Sequence, residues 1–228
     1  MTLDEILAFV GPLDDTLGEN TARERFRGHL AKSANTSGVL RDYIATCLRV
    51  QSQQHERAFQ DLVNHCGRLL GFQVEFGRYA AGRNLIGPDG VWHSPSTGFS
   101  IVAAIEATNA YVVKSSTLVR YVDELISEKR ISDWDHALGL YVVGRIDAKL
   151  AEINSRIVAA RRVRQLHIAS IDALLILAEI MERAEIGQHD VLAVLRPGGP
   201  LVVASQRDDT VPAASAAPRS SPRNRRRV

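Results

Sequence analysis

Apolar side chains recur at helical spacing along the N-terminal part of the chain. LDEILAFV is apolar on one face and is stopped by Gly11-Pro12, and TARERFRGHLAK and SGVLRDYIATCLRV follow with polar breaks between them. These segments hold too few apolar residues for a core of their own, so they are expected to pack on the main domain or on a partner. A longer helix is predicted from about 54 to 70, where Phe59, Leu62, Val63, Cys66, Leu69 and Leu70 share one face and Gly71 supplies the stop.

From Phe72 the period shortens toward two. FQVEFGRY reads as a strand, the Gly-rich AAGRNLIGPDG as a turn, VWHS as a second strand and FSIVAAIEAT as a third, apolar enough to be buried on both faces. An amphipathic helix in SSTLVRYVDELISEK follows. ALGLYVVGR then reads as a central strand, DAKLAEINSRIVAARRV as a helix and RQLHIAS as a strand. IDALLILAEIMERAEI closes the series as a helix, with a shorter one in HDVLAVL. The order predicts an α/β fold, a mixed central sheet with helices on both faces. Residues 1–52 form an N-terminal helical extension, 53–205 the α/β domain and 206–228 a disordered tail.

Composition refines this picture in two places. The 228 residues are 45% hydrophobic and carry a formal net charge of +2, yet the tail alone holds Arg207, Arg219, Arg223, Arg225, Arg226 and Arg227 against Asp208 and Asp209. Everything before it is therefore slightly acidic, and affinity for nucleic acid must come from a local patch or from the tail. The acidic N-terminal stretch and the lack of a long uncharged apolar run predict a soluble, cytoplasmic protein. Cys47 and Cys66 lie in separate helical patterns without metal-ligand spacing and read as small buried residues. The histidines show no paired ligand spacing either.

Two carboxylates stand out. Asp89 follows Gly87-Pro88 at the mouth of a turn, and Glu106 lies 17 residues on, in an otherwise apolar strand, where a carboxylate is costly without a partner or a metal. An Asp and a Glu on neighbouring strands can converge on one Mg²⁺, a hard cation that takes oxygen ligands and keeps waters able to attack a phosphodiester.

These residues resemble the PD-(D/E)xK superfamily, the restriction-endonuclease-like nucleases, over roughly half the chain, from about 54 to 170. GPDGVW matches the Pro-Asp element through Pro88 and Asp89. SIVAAIEATNAY is similar to the strand that ends in Glu-x-Lys, in a register that puts Ala104 at the glutamate and Glu106 at the lysine. The resemblance implies a restriction-endonuclease-like core and a Mg²⁺-dependent DNA endonuclease of a restriction or defence system, with a homodimer allowed. It also implies metal ligation by Asp89 and Glu106, a catalytic cation at Lys114 from a shifted position, and Glu75 or Glu56 to complete the coordination. Arg78, Arg83 and Lys114 would contact phosphates.

The departures are equally specific. Strand period two puts Ala104 and Glu106 on one face, so an alanine stands at a metal-ligand position and a carboxylate at the lysine position. Two readings stay open: an endonuclease with an altered site, and a catalytically inactive relative that binds DNA or scaffolds a partner protein through its N-terminal helices. Arg161, Arg162 and Arg164 form a further basic cluster, for which a helix C-terminus that favours cations is sufficient reason.

Overall fold

The computed structural model describes residues 1–50, 52–79, 87–107, 115–144, 155, 157, 165–184 and 186–196. The N-terminal segments form α1 (Leu3–Val10), α2 (Ala22–Ser33) and α3 (Ser37–Arg49), followed by the long α4 (Gln53–Leu69). Each begins at a hydroxyl cap, Thr2, Thr21, Thr36 and Ser52 in turn, whose side-chain oxygen accepts a first-turn backbone N–H. Thr2 and Glu5 complete a reciprocal capping box. Gly11 and Gly71 end α1 and the α4 turn at φ of 85° and 84°, backbone angles that favour glycine.

Five strands follow in the order β1 (Gln73–Phe76), β2 (Gly90–His93), β3 (Ser100–Glu106), β4 (Ala137–Val143) and β5 (Leu166–Ser170), and that is also their spatial order. β1, β2 and β3 pair antiparallel as a meander, whereas β3, β4 and β5 pair parallel. The parallel pairs need crossovers. α5 (Ser115–Ser127) lies between β3 and β4, and α6 (Ile171–Arg183) and α7 (Gln188–Leu195) follow β5. The sheet is therefore mixed, as the strand patterns predicted, and the elements fall within a few residues of their predicted bounds. The helix expected in DAKLAEINSRIVAARRV lies outside the described residues apart from Ser155 and Ile157, and the tail lies wholly outside them.

Alternation along the strands sorts the apolar side chains into two layers. Trp92, Ile101, Ala103, Leu140 and Val142 face α3, α4 and α6 in the larger core. Val91, Val102, Tyr141 and Val143 face Leu118, Val122 and Leu125 of α5 on the other side. β4 is buried at every position, as its unbroken apolar run foretold. Trp92 is a packing residue: its indole lies against Phe72 and donates from Nε1 to Asn64 at 2.9 Å. Cys47 and Cys66 are buried and unpaired, and burial pushes both thiols up to about 12.

The N-terminal helices belong to the larger core, which takes in Leu3, Ile6, Phe26, Leu30, Leu40 and Ile44 together with Phe59 and Leu62 of α4. A polar joint locks them in place. Arg27 of α2 grips the fully buried Asp61 of α4 through two hydrogen bonds of 2.9 Å, and the Tyr79 hydroxyl donates to the same carboxylate at 2.5 Å. Arg27 and Arg68 each stack 4.5 Å from the Phe76 ring. Burial pulls the Arg27 guanidinium down, and the Asp61 hydrogen bonds more than offset that, so the cation is held firmly. Among the described residues, no helix is long and apolar enough to cross a membrane.

Candidate functional site

The site begins where β1, β2 and α4 meet. Asp89, one residue before β2, donates its backbone N–H to the Ala103 carbonyl at 3.0 Å. Its own carbonyl accepts from Gly77 N–H at 2.9 Å, from Asn64 Nδ2 at 2.8 Å and from Gln60 Nε2 at 3.2 Å. Two buried amides on one face of α4, four residues apart, thus hold the Asp89 backbone still. The approach is so close that a Cβ at Gly90 would come within 1.9 Å of Asn64 Oδ1. Only glycine fits there.

Contacts then decide the side of the sheet. The ladder ends at the Gly90–Ala103 pair, and Asp89 is placed by contacts just beyond it: its charge is felt by Tyr121 of α5 and Tyr141 of β4, on the α5 side of the sheet. Ala104 and Glu106 share a face by period two. Ala104 packs on the α5-side core and Glu106 shares its face, so Asp89, Ala104 and Glu106 gather on that side at the C-terminal end of β3. The Asp89 carboxylate accepts the Ile105 N–H at 2.7 Å.

Charge is crowded at this point. Burial pushes the half-buried Asp89 carboxyl up to about 7; the Ile105 N–H works against that, and the nearby charge of Glu106 adds to it. Glu106 is raised as well, by the protein around it and then by Glu56, although its side chain still reaches solvent at the strand end. Tyr121 of α5 and Tyr141 of β4 are both raised, first by burial, and both feel the Asp89 charge. Two carboxylates that repel each other at a strand end, flanked by phenols, favour a proton or a cation.

The other predicted residues are placed differently. Glu75 pairs with Arg130 and accepts from His93 Nε2 at 3.2 Å, toward the N-terminal end of β3 and away from Asp89. Glu56, in the first turn of α4, is exposed and is the third carboxylate felt at Glu106. Arg78 directly follows Gly77, its side chain exposed and its carbonyl accepting from Gln60 at 3.1 Å. Arg83, Lys114, Tyr111, Arg161, Arg162 and Arg164 lie outside the described residues. Among the described residues, no group of three or more His, Cys, Asp or Glu side chains is arranged to hold a metal ion.

No protein-family model matches the sequence, and no curated protein matches it either. Among solved structures, the chain is similar to the restriction endonuclease FokI, with a TM-score of 0.54 and 13% identity over 79% of this chain. The fold is restriction-endonuclease-like. The likeness spans 34% of FokI's own length, and at this identity it speaks for the fold alone.

Within a restriction-endonuclease-like fold, the donor set tests whether a divalent metal suits this chain. Asp89 and Glu106 offer only oxygen, the ligand type that Mg²⁺ takes, and Mg²⁺ is commonly held by one or two carboxylates with waters and substrate phosphates making up the rest. The residues present fit that chemistry. Gln60 and Asn64, which steady Asp89, were not singled out from the sequence; their signal was two amides on the apolar face of a helix, where uncharged polar groups need partners.

Proposed function

We propose that the chain acts on DNA as a Mg²⁺-dependent endonuclease with an altered site, centred on Asp89 and Glu106. The observation that carries this reading is that the Asp89 carboxylate is docked on the Ile105 N–H, one residue from Glu106 and near enough for the Glu106 charge to raise it. Bound Mg²⁺ would neutralise a substrate phosphate and ease attack by water. The chain's own contribution is orientation. Gln60, Asn64 and Gly77 fix the Asp89 backbone, the Ile105 N–H aims its carboxylate, and Glu56, whose charge is felt at Glu106, would assist. The exposed Arg78, with Arg83 and Lys114, would meet the phosphate backbone. A role in restriction or defence rests on the sequence resemblance.

A second reading has its own observation. Ala104 stands where the resemblance expects an acid, and half-neutral Asp89 is a weaker ligand at pH 7, which favours a protein that binds DNA without cutting it. Incubating supercoiled, single-stranded and branched DNA with Mg²⁺ or Mn²⁺ separates the two. The endonuclease reading expects cleavage by the wild type that disappears in Asp89→Ala and in Glu106→Ala. Retained DNA binding with no cleavage under any metal supports the binding module, and cleavage undiminished in both variants places the chemistry elsewhere.

A further inference from the structure

We propose that the groove between α1 and α2 is a docking site for a partner-protein segment whose apolar side chains are flanked by carboxylates. The groove has a volume of about 580 Å³ and lies on the N-terminal helices, bounded by Ile6, Phe9 and Val10 on one side and by Gly28, His29 and Lys32 on the other. It is independent of Asp89 and Glu106.

Its walls are unusually apolar for a free surface. Leu3, Ile6 and Val10 point α1 into the core, which leaves Phe9 80% exposed beside the opening, with Met1 at its edge 71% exposed. Single exposed apolar residues mean little, but two large ones at the rim of a groove already floored by Ile6 and Val10 make a contiguous patch. Gly28 keeps the α2 wall low: a Cβ there would meet nothing within 4 Å. A partner side chain can use that space.

The polar groups of the groove select a negative partner. Arg25 is pinned across its end, donating to the Val10 carbonyl at 2.6 Å and to the Asn20 carbonyl. Glu24, the acidic residue of the lining, is approached by Arg23 at 3.5 Å and Arg27 at 3.9 Å and is largely neutralised. No ion pair engages the Lys32 ammonium among the described residues. His29 Nε2 is shielded from solvent and has no hydrogen-bond partner, a cost that an acceptor arriving with the ligand would relieve after a small ring rotation. Carboxylates beside apolar anchors answer all of these groups, and such charge matching governs the choice of partner.

Two fluorescein-labelled, helix-forming peptides supply the test. Both carry leucines at i, i+3, i+4 and i+7; one has glutamates at the flanking positions and the other lysines. Fluorescence anisotropy is expected to show binding of the acidic peptide to the full chain, weaker by at least about tenfold for the lysine peptide, with the preference reversed in Lys32→Glu. A Cβ at Gly28 meets nothing within 4 Å, and leucine suits a helix, so Gly28→Leu is expected to occupy the groove and abolish binding while keeping the melting temperature. Equal binding of the two peptides, binding of neither, or unchanged binding in Gly28→Leu overturns the proposal. So does sedimentation showing a dimer that Gly28→Leu dissolves, since the groove would then hold a second copy of this chain.

Discussion

The Asp89 carboxylate accepts the Ile105 backbone N–H at 2.7 Å, which docks it on the C-terminal end of β3 between Ala104 and Glu106. Of the two residues flanking that N–H, Ala104 offers only a methyl group and Glu106 a carboxylate. Ala104→Glu together with Glu106→Lys is expected to create a tighter Mg²⁺ site, gaining at least about tenfold in affinity by calorimetry, because the second carboxylate moves to the other side of the anchoring Ile105 N–H and the added lysine favours ionised Asp89. Affinity no better than wild type would show that carboxylates at positions 89 and 104 do not converge on a cation.

The raised Asp89 carboxyl gives a pH dependence with a definite sign. The unfolded value lies near 3.8 and the folded value near 7, so between them the folded state holds the proton more tightly and stability falls as pH rises through that window, then levels off above it. Asp89→Asn keeps an acceptor for the Ile105 N–H and has no proton to lose. Its melting temperature relative to wild type is expected to climb from pH 4 to pH 7 and then plateau, a gain on the order of 1–3 kcal/mol after allowance for residual hydration. A pH-independent difference would contradict this.

Gly90 ties the site to the core. Adding a methyl group there pushes Asn64 off both the Asp89 carbonyl and the Trp92 indole. Gly90→Ala is expected to cost roughly 2–4 kcal/mol in urea unfolding, through overpacking plus two broken hydrogen bonds. Gly28→Ala, with open space at its Cβ, is the control and should cost nothing.

The Arg27–Asp61 joint ties α2 to α4. Arg27→Ala strands a fully buried carboxylate and is expected to lose about 3–5 kcal/mol. Tyr79→Phe removes one of three hydrogen bonds to that carboxylate and should cost about 1 kcal/mol. Chemical denaturation followed by tryptophan fluorescence checks both; a small loss in Arg27→Ala would mean that Asp61 finds water instead.

Much of this architecture was legible because it depends on local periodicity. The apolar runs of β3 and β4 announced buried parallel strands, and period two already placed Ala104 and Glu106 on one face. The Arg27–Asp61–Tyr79 joint was not legible, since its members lie 34 and 18 positions apart along the chain and each looks alone like a surface charge or a packing ring. Glu75 illustrates the same limit from the other side. Its strand could be read, but the arginine that claims its carboxylate sits 55 positions away. The nearness of Glu56 to Glu106 likewise depends on how α4 packs across the end of the sheet, which no local spacing encodes.

Paramagnetic broadening by Mn²⁺ tests the central claim most directly, because it reports where a divalent ion sits without requiring turnover. Substoichiometric Mn²⁺ at pH 8, where Asp89 is ionised, is predicted to erase the amide signals of Asp89, Ala104, Ile105 and Glu106 first, and to leave them intact in the Asp89→Asn, Glu106→Gln double variant. Broadening that centres on other residues, or that persists unchanged in the double variant, would contradict the assignment of this strand end as the divalent-ion site.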